Sequence, residues 1–226
     1  MKKVIISAIA AVGLLVGCTN NEAQVNDLKK QIAEQKGTID QLKQENNDLA
    51  KKAAAFEENM KGNVLDMALA VVNALKKKDM NQLALYVDPE KGVRFSPYGH
   101  VNLESDLVFK QNDLPSLMES NEKRRFGTFD GSGEPIEMTF RDYLNKFVYD
   151  VDFANPQMIG NNIVIGKGNT VQNIHEVYPN AVFVEFHFKG IDSQYNGMDW
   201  RSLRLVFEKR NGIWYLVGIV HDQWTV

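Results

Sequence analysis

The residues able to do acid–base chemistry gather in the last third of the chain. Residues 181–188 alternate, with Val182, Val184, Phe186 and Phe188 on one side and Phe183, Glu185 and His187 on the other. That period marks a strand and puts Glu185 and His187 on one face. His221 and Asp222 follow a nearly continuous apolar run, Trp214 to Val220, and Asp199, Trp200 and Arg201 open the strand beside it. A histidine beside a carboxylate can act as a general base near neutral pH. The pairs that would do so are His221 or His187 with Asp199 or Asp222. Arg94, Tyr98, Glu185, Arg201 and Trp224 are the side chains that would line a ligand pocket. Three readings stay open: strand-end polar groups hydrogen-bonded to one another and to loop backbone, a ligand pocket, and catalysis.

Known signatures for other chemistry fail. His175-Glu176 lacks a second histidine at the metalloprotease spacing, and Gly166-Lys167-Gly168-Asn169-Thr170 lacks the spacing of a phosphate loop. Ser132 sits between glycines but has no nucleophile-elbow context. Asp150 and Asp152 share one face of an extended segment, yet two carboxylates are too few for calcium, so they read as solvated surface. The pattern implies no metal and no cofactor. A net charge of −3 gives no reason to expect nucleic acid as a partner, because phosphate binding wants a basic face.

One cysteine is present, so no intrachain disulfide can form. It follows a distinctive leader. Lys2 and Lys3 precede an apolar run from Val4 to Val16, which is short for a membrane span and suited to a signal segment. The run closes in Leu15-Val16-Gly17-Cys18. That ending resembles the lipobox of bacterial lipoproteins. The resemblance implies cleavage before Cys18, acylation of its thiol, membrane lipid as a partner, and a mature chain anchored on the extracytoplasmic face. More than one acyl chain is needed for firm anchoring.

Beyond a short linker (residues 18–24), a heptad runs over residues 25–60. Its a positions are Val25, Ile32, Ile39, Asn46, Ala53 and Met60; its d positions are Leu28, Gln35, Leu42, Leu49 and Phe56. This predicts a coiled-coil-like helix. Asn46 at an a position fits a parallel homo-oligomer, and Lys52 to Glu57 reads as an interhelical pair. Gln35, Asn46 and otherwise unmatched Lys29, Lys36 and Lys43 leave room for a single tethering helix. Lys61-Gly62-Asn63 breaks the repeat.

The remainder, residues 63–226, predicts an α+β domain. Val64 to Lys78 has a wide apolar helical face, Asp79 can cap a second helix through Tyr86, and Thr139 starts another. Val93 to Val101 reads as an extended arm, Leu114 to Ser120 as a short helix, and Asp130 to Pro135 as a loop. Two long strands flank Asn211-Gly212, a hairpin signal. Helices first and strands last imply helices on one face of an antiparallel sheet. This order, with the hairpin "SLRLVFEKRNGIWYLVGIVHDQW", resembles the NTF2-like superfamily, whose curved sheet closes with helices into a cone around a pocket. The segment is longer than usual for that family, which marks residues 99–138 as an insertion. In NTF2-like enzymes, pocket His, Asp and Tyr residues move protons on small ligands. More narrowly, "GVRFSPY", "DGSGEPI", "MDWRSLRLVF" and "HDQWTV" resemble a group of lipoproteins, mainly of Gram-positive bacteria, which implies no particular activity. The expectation is an anchored module that binds a small ligand or a cell-envelope partner. The alternatives are a dehydratase, isomerase or hydrolase, and an envelope scaffold oligomerising through its stalk.

Overall fold

The structure, a computed structural model, describes residues 21–225. The leader and Cys18 lie outside the described residues. The chain divides into two compact units, residues 1–53 and 54–226. The first consists, where described, of helix α1 (Asn21–Lys61) up to Ala53. Its side chains from Glu22 to Ala53 are exposed, including the heptad residues Val25, Leu28, Ile32, Ile39, Leu42 and Leu49. No helix among the described residues is long and apolar enough to cross a membrane.

The second unit begins on the last turns of α1. Met60 is buried there, and Phe56 meets Tyr86 with ring centroids 5.3 Å apart. These two heptad positions therefore pack within the globular unit. Gly62 ends the helix and Asn63 caps the next one, accepting from Leu65 N at 3.0 Å. Helix α2 (Val64–Lys77) buries the predicted apolar face, and α3 (Met80–Tyr86) starts on Asp79, whose carboxylate accepts from Gln82 N. There follow β1 (Val93–Ser96), β2 (Leu107–Phe109), α4 (Leu114–Leu117), β3 (Lys123–Thr128), β4 (Pro135–Thr139), α5 (Phe140–Phe147), β5 (Met158–Asn161), α6 (Ile174–Val177), β6 (Ala181–Phe188), β7 (Arg201–Arg210) and β8 (Ile213–Gln223).

Six strands form one sheet in the order β2-β1-β8-β7-β6-β5, and β3 with β4 forms a separate ribbon. The long strands meet through the Asn211-Gly212 turn, where φ is 52° and 83°. Two successive positive φ values are what a two-residue hairpin requires. The sheet corrects the antiparallel expectation at one place: β1 runs parallel to β8, pairing Arg94 with Gly218 and Ser96 with Val220. The extended arm of the sequence reading is thus an internal strand. A bulge between Val206 and Phe207 shifts the β7–β8 register, sending Val217 to one side of the sheet while Ile219 and His221 stay on the other.

Both faces of this sheet are covered. On one, α2, α3 and α5 bury a core rich in phenylalanine, with Phe95, Phe140, Tyr143 and Phe147 in edge or tilted ring contacts. On the other, residues around Ile174 and Tyr178 cover Phe183, Val206, Val217 and Val220. At the end of that second face lies a group of buried polar residues.

Candidate functional site

Glu185 and Arg204 are cross-strand partners on β6 and β7, and both are fully buried. Arg204 Nε donates to Glu185 Oε2 at 3.0 Å and its Nη1 to Asp222 Oδ2 at 2.8 Å. Its Nη2 donates to the Gly166 carbonyl at 2.9 Å. Glu185 also accepts from the Ile165 and Gly166 amides, at 2.9 and 2.8 Å, and from Ser202 Oγ at 2.6 Å. Burial works against the Arg204 charge, but Glu185 and Asp222 carry its pKa above the ordinary guanidinium value. Burial pushes Asp222 up, against the opposing pull of Arg204. Such a cluster holds only when nearly every lone pair and proton is matched. Here the matches come from a loop: any side chain at residue 166 would collide with Ser202 Oγ and the Trp200 ring. Glycine lets that backbone reach the charges.

His187 belongs to the same cluster, with Nδ1 2.8 Å from Ser202 Oγ. Serine has one hydroxyl proton, and the 2.6 Å contact to Glu185 uses it. His187 Nδ1 must then be the donor. Burial, the largest influence, lowers its pKa, so the ring is neutral at neutral pH. Serine, histidine and glutamate are all present, but in the wrong order. A nucleophile needs histidine to accept the serine proton, whereas here the proton points to Glu185 and Ser202 is sealed.

His221 faces the opposite side of the sheet. Its Nε2 is 3.1 Å from Asp150 Oδ1 and its Nδ1 3.3 Å from the Pro97 carbonyl. Phe147 and Phe153 stand edge-on to it, centroids 6.3 and 6.4 Å away, and the ring is fully buried. Its carboxylate is therefore Asp150, not Asp199 or Asp222. Asp150 also accepts from Arg201 Nε at 2.7 Å. Burial pushes Asp150 up, but His221 and Arg201 together bring it below the ordinary carboxylate value. The solvated-surface reading thus fails for Asp150 and holds for the exposed Asp152, which pairs with Lys76 at 2.9 Å and Tyr149 at 2.6 Å.

A cleft opens elsewhere, with a cavity of about 450 Å³. Its walls are the turn after β1 (Pro97, Tyr98, His100, Asn102, Ser105, Asp106), the loop joining β3 to β4 (Gly127 to Gly133), and Asn169 with Thr170. Asp106 is only 7% exposed. Its Oδ2 accepts from Ser96 Oγ at 2.5 Å and Asn102 N at 2.8 Å. Burial pushes its carboxyl up, against those hydrogen bonds and the charges of Arg94 and His100. Burial also raises the Tyr98 phenol, against a hydrogen bond from the Asp130 backbone. Beneath them the Tyr143 hydroxyl is buried with no partner among the described residues, and burial, with the charges of Asp106 and Tyr98, pushes it well up.

Of the candidate catalytic and ligand-binding residues named in the sequence, Tyr98 alone lines this cleft. Arg94 donates to the carbonyls of Asp106 and Leu103, at 2.9 and 3.4 Å, and so clamps the turn from behind. Asp199 accepts from the Ile191 and Asp192 amides and caps an exposed loop. Arg201 and Trp224 border a shallow depression with Tyr195 and Met198. The sequence reading passed over Arg204, Ser202 and Asp106. Arg204 carried a signal: on adjacent alternating strands it lies opposite Glu185 on one face. Asp106 carried none, since it sits in an irregular turn. Among the described residues, no group of three or more His, Cys, Asp or Glu is placed to hold a metal ion.

No family model matches the chain, and no curated protein matches it. Among solved structures it is similar to a chain described as a calcium/calmodulin dependent protein kinase II association domain from Xanthomonas campestris. That likeness has 13% identity and a TM-score of 0.31 over 71% of this chain and 84% of the other. It is also similar to a five-substitution variant of a protein named Rd1NTF2, at 12% identity and a TM-score of 0.28 over 78% of this chain and 99% of the other. Likenesses of this size say nothing of activity.

Proposed function

We propose that this chain is a membrane-anchored extracytoplasmic lipoprotein whose globular unit is an NTF2-like module that binds a small ligand without transforming it. One observation carries the binding role. The structure has a cleft of small-ligand size with a nearly buried carboxylate in its wall, while His187 and His221 are sealed from it against Glu185 and Asp150, and His100, which lines it, is held to the Val171 carbonyl. The core face, where an NTF2-like pocket would lie, is filled by phenylalanines, so the ligand sits at the rim, against Tyr98 and Asp106.

The test is a thermal-shift and amide-NMR screen of the detergent-solubilised full chain against envelope fragments and polar metabolites. Binders should move the amides of Gly127, Gly131 and Gly133. Turnover of any of these compounds that disappears in His221→Gln would replace this reading with an enzymatic one.

The anchor rests on the leader and on Cys18. Cys18→Ser should yield an unacylated, poorly processed precursor, and normal acylation of that variant would refute it. The stalk reading is supported by the exposed aliphatic seam on α1, which a second copy would cover in a parallel coiled coil. Sedimentation should show loss of self-association when residues 25–49 are removed. An equal, monomeric mass with and without them would refute the homo-oligomer.

A further inference from the structure

We infer that the cleft takes the protonated amine of a small polar ligand, with the ammonium group against Asp106 and the uncharged body against Tyr98 and Phe129. This rests on the cleft being the binding site. The lining contains two carboxylates, Asp106 and Asp130, one histidine, His100, and neither lysine nor arginine. Two cations lie behind these walls and are engaged there: Arg94 on the carbonyls of the turn, and Lys146 over the Phe129 and Phe147 rings at 4.7 and 5.5 Å. An anion entering here would meet like charge.

Asp106 decides between a neutral ligand and a cation. Both its protein donors bind Oδ2, and Oδ1 accepts no hydrogen bond from the described residues. An ionised carboxylate has about four lone-pair sites. Oδ1 is not sealed in the protein but opens to the cleft, where water or a ligand supplies the donor that the fold does not. An ammonium supplies three donors and the opposite charge, and charge-assisted bonds are about twice as strong as neutral ones. Asn102, Ser105, Thr128, Asn169 and Thr170 offer amides and hydroxyls to a polyhydroxylated body. A metal cation fits less well, because two carboxylates give too few oxygen ligands.

The experiment is calorimetry and amide NMR on the full chain with two matched pairs: glucosamine against N-acetylglucosamine, and putrescine against 1,4-butanediol. The amine of each pair should bind at least about tenfold tighter than its neutral match, moving the cleft glycine amides. Asp106→Asn should erase that preference. Asp130→Asn, on an exposed loop, should weaken it a few-fold, and it serves if Asp106→Asn disturbs the turn that Asp106 closes. Equal binding of amine and neutral partner in the cleft overturns the ammonium assignment and leaves the cleft standing as a site. No binding by any of the four overturns the assignment too, and the broader screen then judges the cleft on its own.

Discussion

The Glu185–Arg204–Asp222 cluster and the Asp106 cleft both bury carboxylates, but they treat them in opposite ways. In the cluster the arginine donates to both carboxylates, and loop amides meet the glutamate. In the cleft, one oxygen of Asp106 is held and the other is left open. A closed network makes a rigid joint between sheet and loop; an open one leaves something for a ligand to do. The residue types that look most catalytic went into the joint.

The largest test of that contrast is Arg204→Met. It strands two buried carboxylates, and breaking such a pair costs about 3–5 kcal/mol. Urea denaturation should show that loss; a change under 1 kcal/mol would mean water reaches the cluster. Next in size come two glycines. Gly166→Ala forces a methyl into Ser202 and Trp200 and should cost about 1–3 kcal/mol, as overpacking does. Gly133→Ala, at φ 70° with open space around it, should cost only about 1 kcal/mol from its backbone. Equal losses would show that the loop over the cluster yields freely.

Acid titration separates the regions by sign. Asp150 has a lowered pKa in the fold, so its contribution is present above the ordinary carboxylate value and is lost as pH falls through the folded one. Asp106 has a raised pKa, so the fold binds its proton more tightly than the unfolded chain does. Stability should then decline as pH rises from the ordinary value through the folded one. Comparing Asp150→Asn and Asp106→Asn across pH 2–6 by thermal denaturation should remove slopes of opposite sign, and like signs would contradict the two environments. The smallest effect on stability belongs to Asp106→Asn at neutral pH. Its amide oxygen can still accept from Ser96 and Asn102, so the change should stay within about 1 kcal/mol while the response to amines is lost.

The contrast also explains what could be read from the residues. Alternation located β6 and β7, a continuous apolar run located β8, and local chemistry located the Asp79 cap and the helix start at Thr139. These are short-range patterns with fixed periods. The partner of His221 is 71 residues away in an irregular segment, and no period points to it. The parallel β1–β8 pairing and the bulge that turns Val217 away are likewise long-range choices. The stretch 99–138, marked as extra length by its resemblance, contributes Asp106 and the Gly127–Gly133 wall, and so builds much of the cleft.

Taken alone, the sequence determined the apolar N-terminal run and its lone thiol, the heptad, the main helices and the long C-terminal strands. Each is written in neighbouring residues, where hydrophobic period and capping act within a few positions. Tertiary structure decided which charges would be neutralised and which left open. That outcome depends on desolvation and on donors brought from distant segments, and neither exists until the sheet, its covering loop and the turn after β1 have met.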